Sequence, residues 1–353
     1  MGKLNRRQFS TTLWGAPLLA ARLRGAFPEP HAGSDWAEHR KAILSMMERV
    51  MGLFPRRKTK PSLDMRILEN QATGTISRSK ISYVSEEGDR TPGYLLKPKK
   101  VKGRVPGILC LHQTTPIGAA EPAGLGGNPN YHYAEELAER GYVTLAPNYP
   151  DLPFSTGFGG YRFDSYRQGY RSQTMKGIWN HTRAVDLLQS MPEIDPQRIG
   201  CIGHSLGGHN TLFVGAFDTR IRVLVCSCGF TSFKDYHGGD LSGWGQERYM
   251  PLIAVQYHNN PAEMPFDFSD VLAALAPRPL FINAPLHDAN FSVAGVRATM
   301  KAVRPVYSER FDAGDRLVVR HPNAAHSFPT AVRNEAYQFI DKWLRDEPPD
   351  GKR

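Results

Sequence analysis

The chain has 353 residues, 41% of them apolar and 22% charged, with 44 Lys+Arg against 34 Asp+Glu for a formal charge of +10. This balance excludes a mainly disordered or fibrous chain, and four cysteines are too few for a disulfide scaffold. No apolar run is long enough to cross a bilayer as a helix, so no stable membrane anchor is expected.

Residues 1–26 carry Lys3, Arg6, Arg7, Arg22 and Arg24 and no acid, so half of the net charge sits there. The remainder is mildly basic and shows no Lys/Arg stripe, and no nucleic acid is expected as a partner. Arg6-Arg7-Gln8-Phe9, followed by the short apolar stretch from Thr11 to Ala21, resembles a twin-arginine export signal. That likeness predicts the twin-arginine export machinery as a partner and a periplasmic or secreted location. Residues 27–79 read as an N-terminal helical extension, 80–347 as the catalytic domain and 348–353 as a polar tail.

Residues 34–53 have helical spacing, with Trp36, Ile43, Met46, Met47, Val50 and Leu53 on the apolar face. Lys80–Ser85 and Gly93–Lys97 flank Glu86-Glu87-Gly88-Asp89 and predict a hairpin. Val105–His112 is an apolar strand, Tyr133–Arg140 a helix stopped by Gly141, and Tyr142–Ala146 the next strand. A helix over Met175–Met191 and a strand over Arg198–Gly203 follow. A helix over Leu206–Phe217 and strands over Arg222–Cys228, Pro279–Ala284 and Arg316–Arg320 come next. An amphipathic helix over Thr330–Arg345 closes the chain. Short apolar strands alternating with helices predict an α/β fold, a mostly parallel central sheet with helices on both faces and loop insertions over the site. All four cysteines (Cys110, Cys201, Cys226, Cys228) fall in apolar strand-like segments and are expected as buried free thiols.

Gly203-His204-Ser205-Leu206-Gly207 matches G-x-S-x-G, with an apolar strand before it and a helix after it. This is the context of a nucleophile elbow, where a tight turn leaves no room for side chains at the flanking positions and lifts the Ser205 hydroxyl clear of the backbone. A serine hydroxyl is a weak nucleophile and needs a base. In an elbow protein the acid and then the histidine follow the nucleophile in chain order. His326, after the last strand, is the expected base, and His321 at the strand end is the alternative. Asp288, the sole carboxylate in the loop after Pro279–Ala284, is the expected acid, with Asp312 and Asp315 as alternatives. The N–H groups of Leu206 and Gln113 are the expected oxyanion donors.

With these segments in hand, residues 80–345 resemble the α/β-hydrolase superfamily, in its dienelactone-hydrolase and acetyl-xylan-esterase-like branch. The likeness is carried by Gly93–Pro98, Ile108–Gln113, Asp195–Gly200, the elbow, and His326-Ser327-Phe328-Pro329. Dienelactone hydrolases carry Cys where Ser205 stands, and the acetyl-xylan esterases usually carry Gln where Leu206 stands. The resemblance implies a serine hydrolase of carboxylic esters, acting on a small-molecule or saccharide ester such as an acylated plant polysaccharide. A peptidase of the prolyl-oligopeptidase-like branch, acting on small peptides or amides, is the rival.

Two insertions are expected over the site. Asn148–Arg171 is rich in aromatics, among them Tyr149, Phe154, Phe158, Tyr161, Phe163, Tyr166 and Tyr170, and reads either as a lid or as a loop packed on itself. Phe230–Phe268 carries Trp244, Arg248 and Tyr249. Tyr149 and Trp244 are the expected substrate-binding residues, and Arg248 is expected in a surface salt bridge, with an anionic substrate group as the alternative partner. No H-E-x-x-H or C-x-x-C occurs, so neither a metal nor a cofactor is implied.

Overall fold

The computed structural model describes residues 36–57, 59–152 and 159–346. The export-signal reading, Phe154, Phe158 and the polar tail lie outside the described residues.

The apolar spacing near the start forms helix α1 (Trp36–Met51), which buries Ile43, Met47, Val50 and Met51. Gly52 at φ 91° ends it in the left-handed conformation, and Leu53 beyond the stop is turned to solvent, 76% exposed, rather than joining the apolar face.

Sheet formation begins upstream of residue 80. Strand β1 (Arg66–Thr73) pairs antiparallel with β2 (Ile76–Glu86), and β2 forms the expected hairpin with β3 (Asp89–Pro98). No strand was expected at β1 because its side chains are exposed almost throughout and leave no alternating apolar signal.

Six further strands follow: β4 (Val105–Leu111), β5 (Val143–Pro147), β6 (Ile194–His204), β7 (Ile221–Ser227), β8 (Leu280–Asn283) and β9 (Leu317–Arg320). The sheet order is β1-β2-β3-β5-β4-β6-β7-β8-β9, parallel from β5 to β9. This is the mostly parallel α/β-hydrolase sheet, with an antiparallel edge built by β1–β3.

One face of the sheet, with Ile108, Cys110, Ile202, Val225 and Phe281, packs on α2 (Tyr133–Glu139) and α8 (Thr330–Asp341). On the other face lie α3 (Gln173–Ser190), capped by the Ser172 side chain, and α4 (Leu206–Phe217), buried from Leu206 to Ala216. Two further helices, α5 (Leu252–Tyr257) and α6 (Phe268–Leu275), precede β8, and α7 (Val293–Pro305) follows it.

Parallel register fixes where the chemistry gathers. Leu111 pairs with Gly203, His204 with Ser227, Ser227 with Asn283 and Asn283 with Arg320. The carboxyl ends of β4, β6, β7, β8 and β9 therefore stand side by side, and their loops converge on one rim, where ligands of open α/β sheets bind.

Candidate active site

Ser205 sits alone between β6 and α4 at φ 53° and ψ −117°. A non-glycine residue pays for that backbone in strain, and the surrounding packing holds it there. A Cβ on Gly203 would stand 2.2 Å from the Gly207 carbonyl oxygen, and one on Gly207 would stand 1.9 Å from that of Leu111. Neither partner is a flexible side chain, so glycine is required at both positions. The Ser205 N–H donates to the Ser227 carbonyl at 2.8 Å, tying the turn to β7.

The expected base and acid meet. His326 Nδ1 lies 2.9 and 3.0 Å from the two carboxylate oxygens of Asp288. The Asn290 and Phe291 N–H groups donate to Asp288 Oδ1 at 2.8 and 3.0 Å. Burial alone would push the Asp288 carboxyl up. The His326 hydrogen bond and charge, with the two amide donors, hold it below its ordinary value. The alternatives lie elsewhere: His321 Nδ1 is 2.7 Å from the Ala284 carbonyl, Asp312 stands in a left-handed turn before β9, and Asp315 pairs with Lys342 at 3.3 Å.

Ser205, Leu206, Gln113 and His326 border one cavity of about 360 Å³. No Ser205–His326 hydrogen bond is formed among the described residues, and catalytic contacts of this kind tighten when substrate enters. Leu206 opens α4 and Gln113 follows β4, and both border the cavity beside Ser205. The Gln113 side chain is turned away and donates to Glu121 at 3.0 Å.

Of the two expected substrate-binding residues, Trp244 lines this cavity and Tyr149 does not. Tyr149 is buried in edge contact with His112 and His181, at ring distances of 4.4 and 5.0 Å, and borders a small neighbouring recess. Its position just after β5 turns its ring into the protein, a direction that aromatic composition does not reveal. Arg248 is an ion-pair residue, 3.7 Å from buried Asp151, and also stands outside the cavity.

Sequence reasoning missed part of the wall. Tyr236, Tyr249 and Phe291 line the cavity with Trp244, and His209 stands 4.8 Å from the Trp244 ring. Burial pulls His209 down to about 3, so it presents a neutral imidazole. Its position four residues after Ser205, one helical turn along the same face, was the available signal.

Residues 155–310 match a family described as glucuronyl esterase of fungi. A Bacillus subtilis protein described as a hydrolase, YtaP, is 29% identical over 87% of this chain and 99% of its own length. Among solved structures, a glucuronoyl esterase from Solibacter usitatus superimposes with a TM-score of 0.68 at 20% identity, covering 86% of this chain and 91% of that one. A Bacteroides fragilis protein described as an acetyl xylan esterase gives 0.62 at 19% identity, covering 86% and 82%.

Proposed function

We propose that this chain, an α/β-hydrolase of the acetyl-xylan-esterase-like branch and a carboxylic ester hydrolase, works through an acyl-enzyme on Ser205 and takes esters carried by plant-polysaccharide sugars. The observation that carries the reading is the two-oxygen His326–Asp288 contact on the cavity that Ser205 borders. His326 takes the Ser205 proton as the hydroxyl attacks the ester carbonyl. Asp288 holds the Nδ1–H tautomer and stabilises the imidazolium that forms. The oxyanion is received by the Leu206 and Gln113 N–H groups. The alcohol leaves with the proton from His326, and water then releases the acid by the same steps in reverse.

The wall supports this substrate class. A cavity of about 360 Å³ with Tyr236, Trp244, Tyr249 and Phe291 around it suits one sugar-sized group lying against aromatic faces. The family and fold likenesses point the same way, toward acetylated xylan or a glucuronoyl ester. Turnover of p-nitrophenyl acetate should fall by roughly 10³-fold or more in Ser205→Ala without loss of folding. Retained turnover, or labelling of Ser205→Ala by a fluorophosphonate, would refute the assignment. Acetylated xylan against methyl glucuronate then separates an ester of the sugar hydroxyl from an ester of the sugar acid.

Export belongs to the same proposal. The Arg6-Arg7 signal would deliver the folded protein through the twin-arginine machinery to the periplasm or beyond. Replacing both arginines with lysine should leave the protein in the cytoplasmic fraction. Unchanged export would remove this part of the reading.

A further inference from the structure

A fourth polar side chain faces the His326–Asp288 pair, and the ester mechanism gives it no part. Cys228 follows β7 at φ 47°, a backbone conformation costly for any residue but glycine, and is 2% exposed. Its N–H donates to the Asn283 carbonyl at 2.8 Å. Its Sγ lies 3.3 Å from the Ser327 carbonyl oxygen, 3.8 Å from Asn283 Nδ2 and 3.9 Å from Ser227 Oγ. These contacts hold the thiol where its Sγ, a ring nitrogen of His326 and a carboxylate oxygen of Asp288 all fall within 4.8 Å of one another.

Thiolate, imidazole and carboxylate are the ligand types of zinc, and three such ligands with a fourth position left open is one of its stable arrangements. Bonds of about 2.0–2.3 Å set tetrahedral ligands roughly 3.5 Å apart. The His326–Asp288 contact at 2.9 Å and a sulfur within 4.8 Å reach that spacing with shifts of about 1 Å. Of the three, His326 borders the cavity, with its side chain 20% exposed, and Cys228 and Asp288 are buried.

We propose that Cys228, Asp288 and His326 form an inhibitory site for a thiophilic divalent cation, Zn²⁺ foremost. The cation takes Cys228 as thiolate, and the thiol proton passes to solvent. It also takes the Nδ1 lone pair of His326, so the proton formerly on Nδ1 moves to Nε2. The ring stays neutral, but Nε2 is now a donor and can no longer accept the Ser205 proton. Asp288 turns from the imidazole to the metal. Inhibition rests on the esterase reading given above, whereas cation binding does not.

Two measurements keep these apart. Cd²⁺ added to Ser205→Ala should raise a thiolate-to-cadmium charge-transfer band in the ultraviolet, absent from the same protein carrying Cys228→Ala. Zn²⁺ near stoichiometry should lower p-nitrophenyl acetate turnover by roughly tenfold or more, reversibly with a chelator. Cys228→Ala and Cys228→Ser should keep the turnover and lose the inhibition. Should those variants fail to fold, loss of the Cd²⁺ band in His326→Ala carries the test without touching the thiol. Absence of the band in the chain with its native Cys228, or inhibition undiminished in Cys228→Ala, overturns the site. A chain that turns over no ester yet shows the band loses its esterase reading and the inhibitory role, and keeps the cation site.

Discussion

Ser205 and its flanking glycines show how one turn can be costly to build and still be retained. A methyl group on Gly203 would push against the Gly207 backbone at 2.2 Å, and no side-chain rotation relieves that. Gly203→Ala should therefore unfold the elbow or abolish expression of soluble protein. Gly177 gives the opposite case. It lies inside α3, where glycine costs about 1 kcal/mol against alanine. A Cβ there would meet Tyr149 Cδ1 at 3.6 Å, His181 Cε1 at 3.9 Å and Asn210 Oδ1 at 4.0 Å, all ordinary contacts. Gly177→Ala should raise stability by roughly 0.5–1 kcal/mol in urea unfolding. A loss of stability would mean that the open space beside Tyr149 is needed. The elbow, the base and the acid were legible because each is tied to a chain-order position at a strand end. The aromatic wall was less so: side-chain direction decides it, and Tyr149 and Trp244 look alike as letters.

At the scale of elements, the first insertion shows which of its two expected readings prevails. Where it is described, it packs down. Tyr161 donates to Asp89 at 2.6 Å and Tyr170 to Glu86 at 3.1 Å, both on the β2–β3 hairpin. Lys176 on α3 joins them, fully buried, with its Nζ 2.6 Å from Glu86, 2.5 Å from Asp89 and 4.4 Å from the Phe163 ring centre. Tyr161 and Tyr170 are thus committed to the hairpin, Tyr166 donates to the Glu247 carbonyl, Tyr149 packs on His112 and His181, and the aromatic wall of the cavity comes from the second insertion and the Asp288 loop. The hairpin strands were readable by their alternation, but the ion cluster was not, because Lys176 lies far along the chain from Glu86 and Asp89 and each alone reads as a surface charge. Removing one member leaves buried charge without compensation, which typically costs about 3–5 kcal/mol. Lys176→Met should lose stability of that order and make the 159–171 segment cleavable by protease. Native-like resistance in the variant would show that the segment is held by its ring packing instead.

Across the whole molecule, burial of neutral histidines sets a pH dependence that net charge does not suggest. Burial pulls His112 down to about 4 and His181 to about 3, and holds His204 well below the ordinary imidazole value. His209 is likewise near 3. An unfolded chain binds these protons near pH ~6.5, whereas the folded chain refuses them until about pH 4 or lower. Between those limits the unfolded state holds more protons, so folding stability rises with pH and falls on acidification. Each such histidine contributes a slope of roughly 1 kcal/mol per pH unit inside that window and none above it. His181 isolates the effect, since neither of its ring nitrogens has a hydrogen-bond partner among the described residues. Unfolding free energy measured in urea should be level above about pH 7 and drop steeply toward about pH 5. His181→Leu should lessen that drop by about one proton's worth while leaving the neutral-pH stability close to the parent's. A profile as level at pH ~5 as at ~7, or a slope unmoved in His181→Leu, would mean that the folded chain admits the protons after all, through water or local opening around α3.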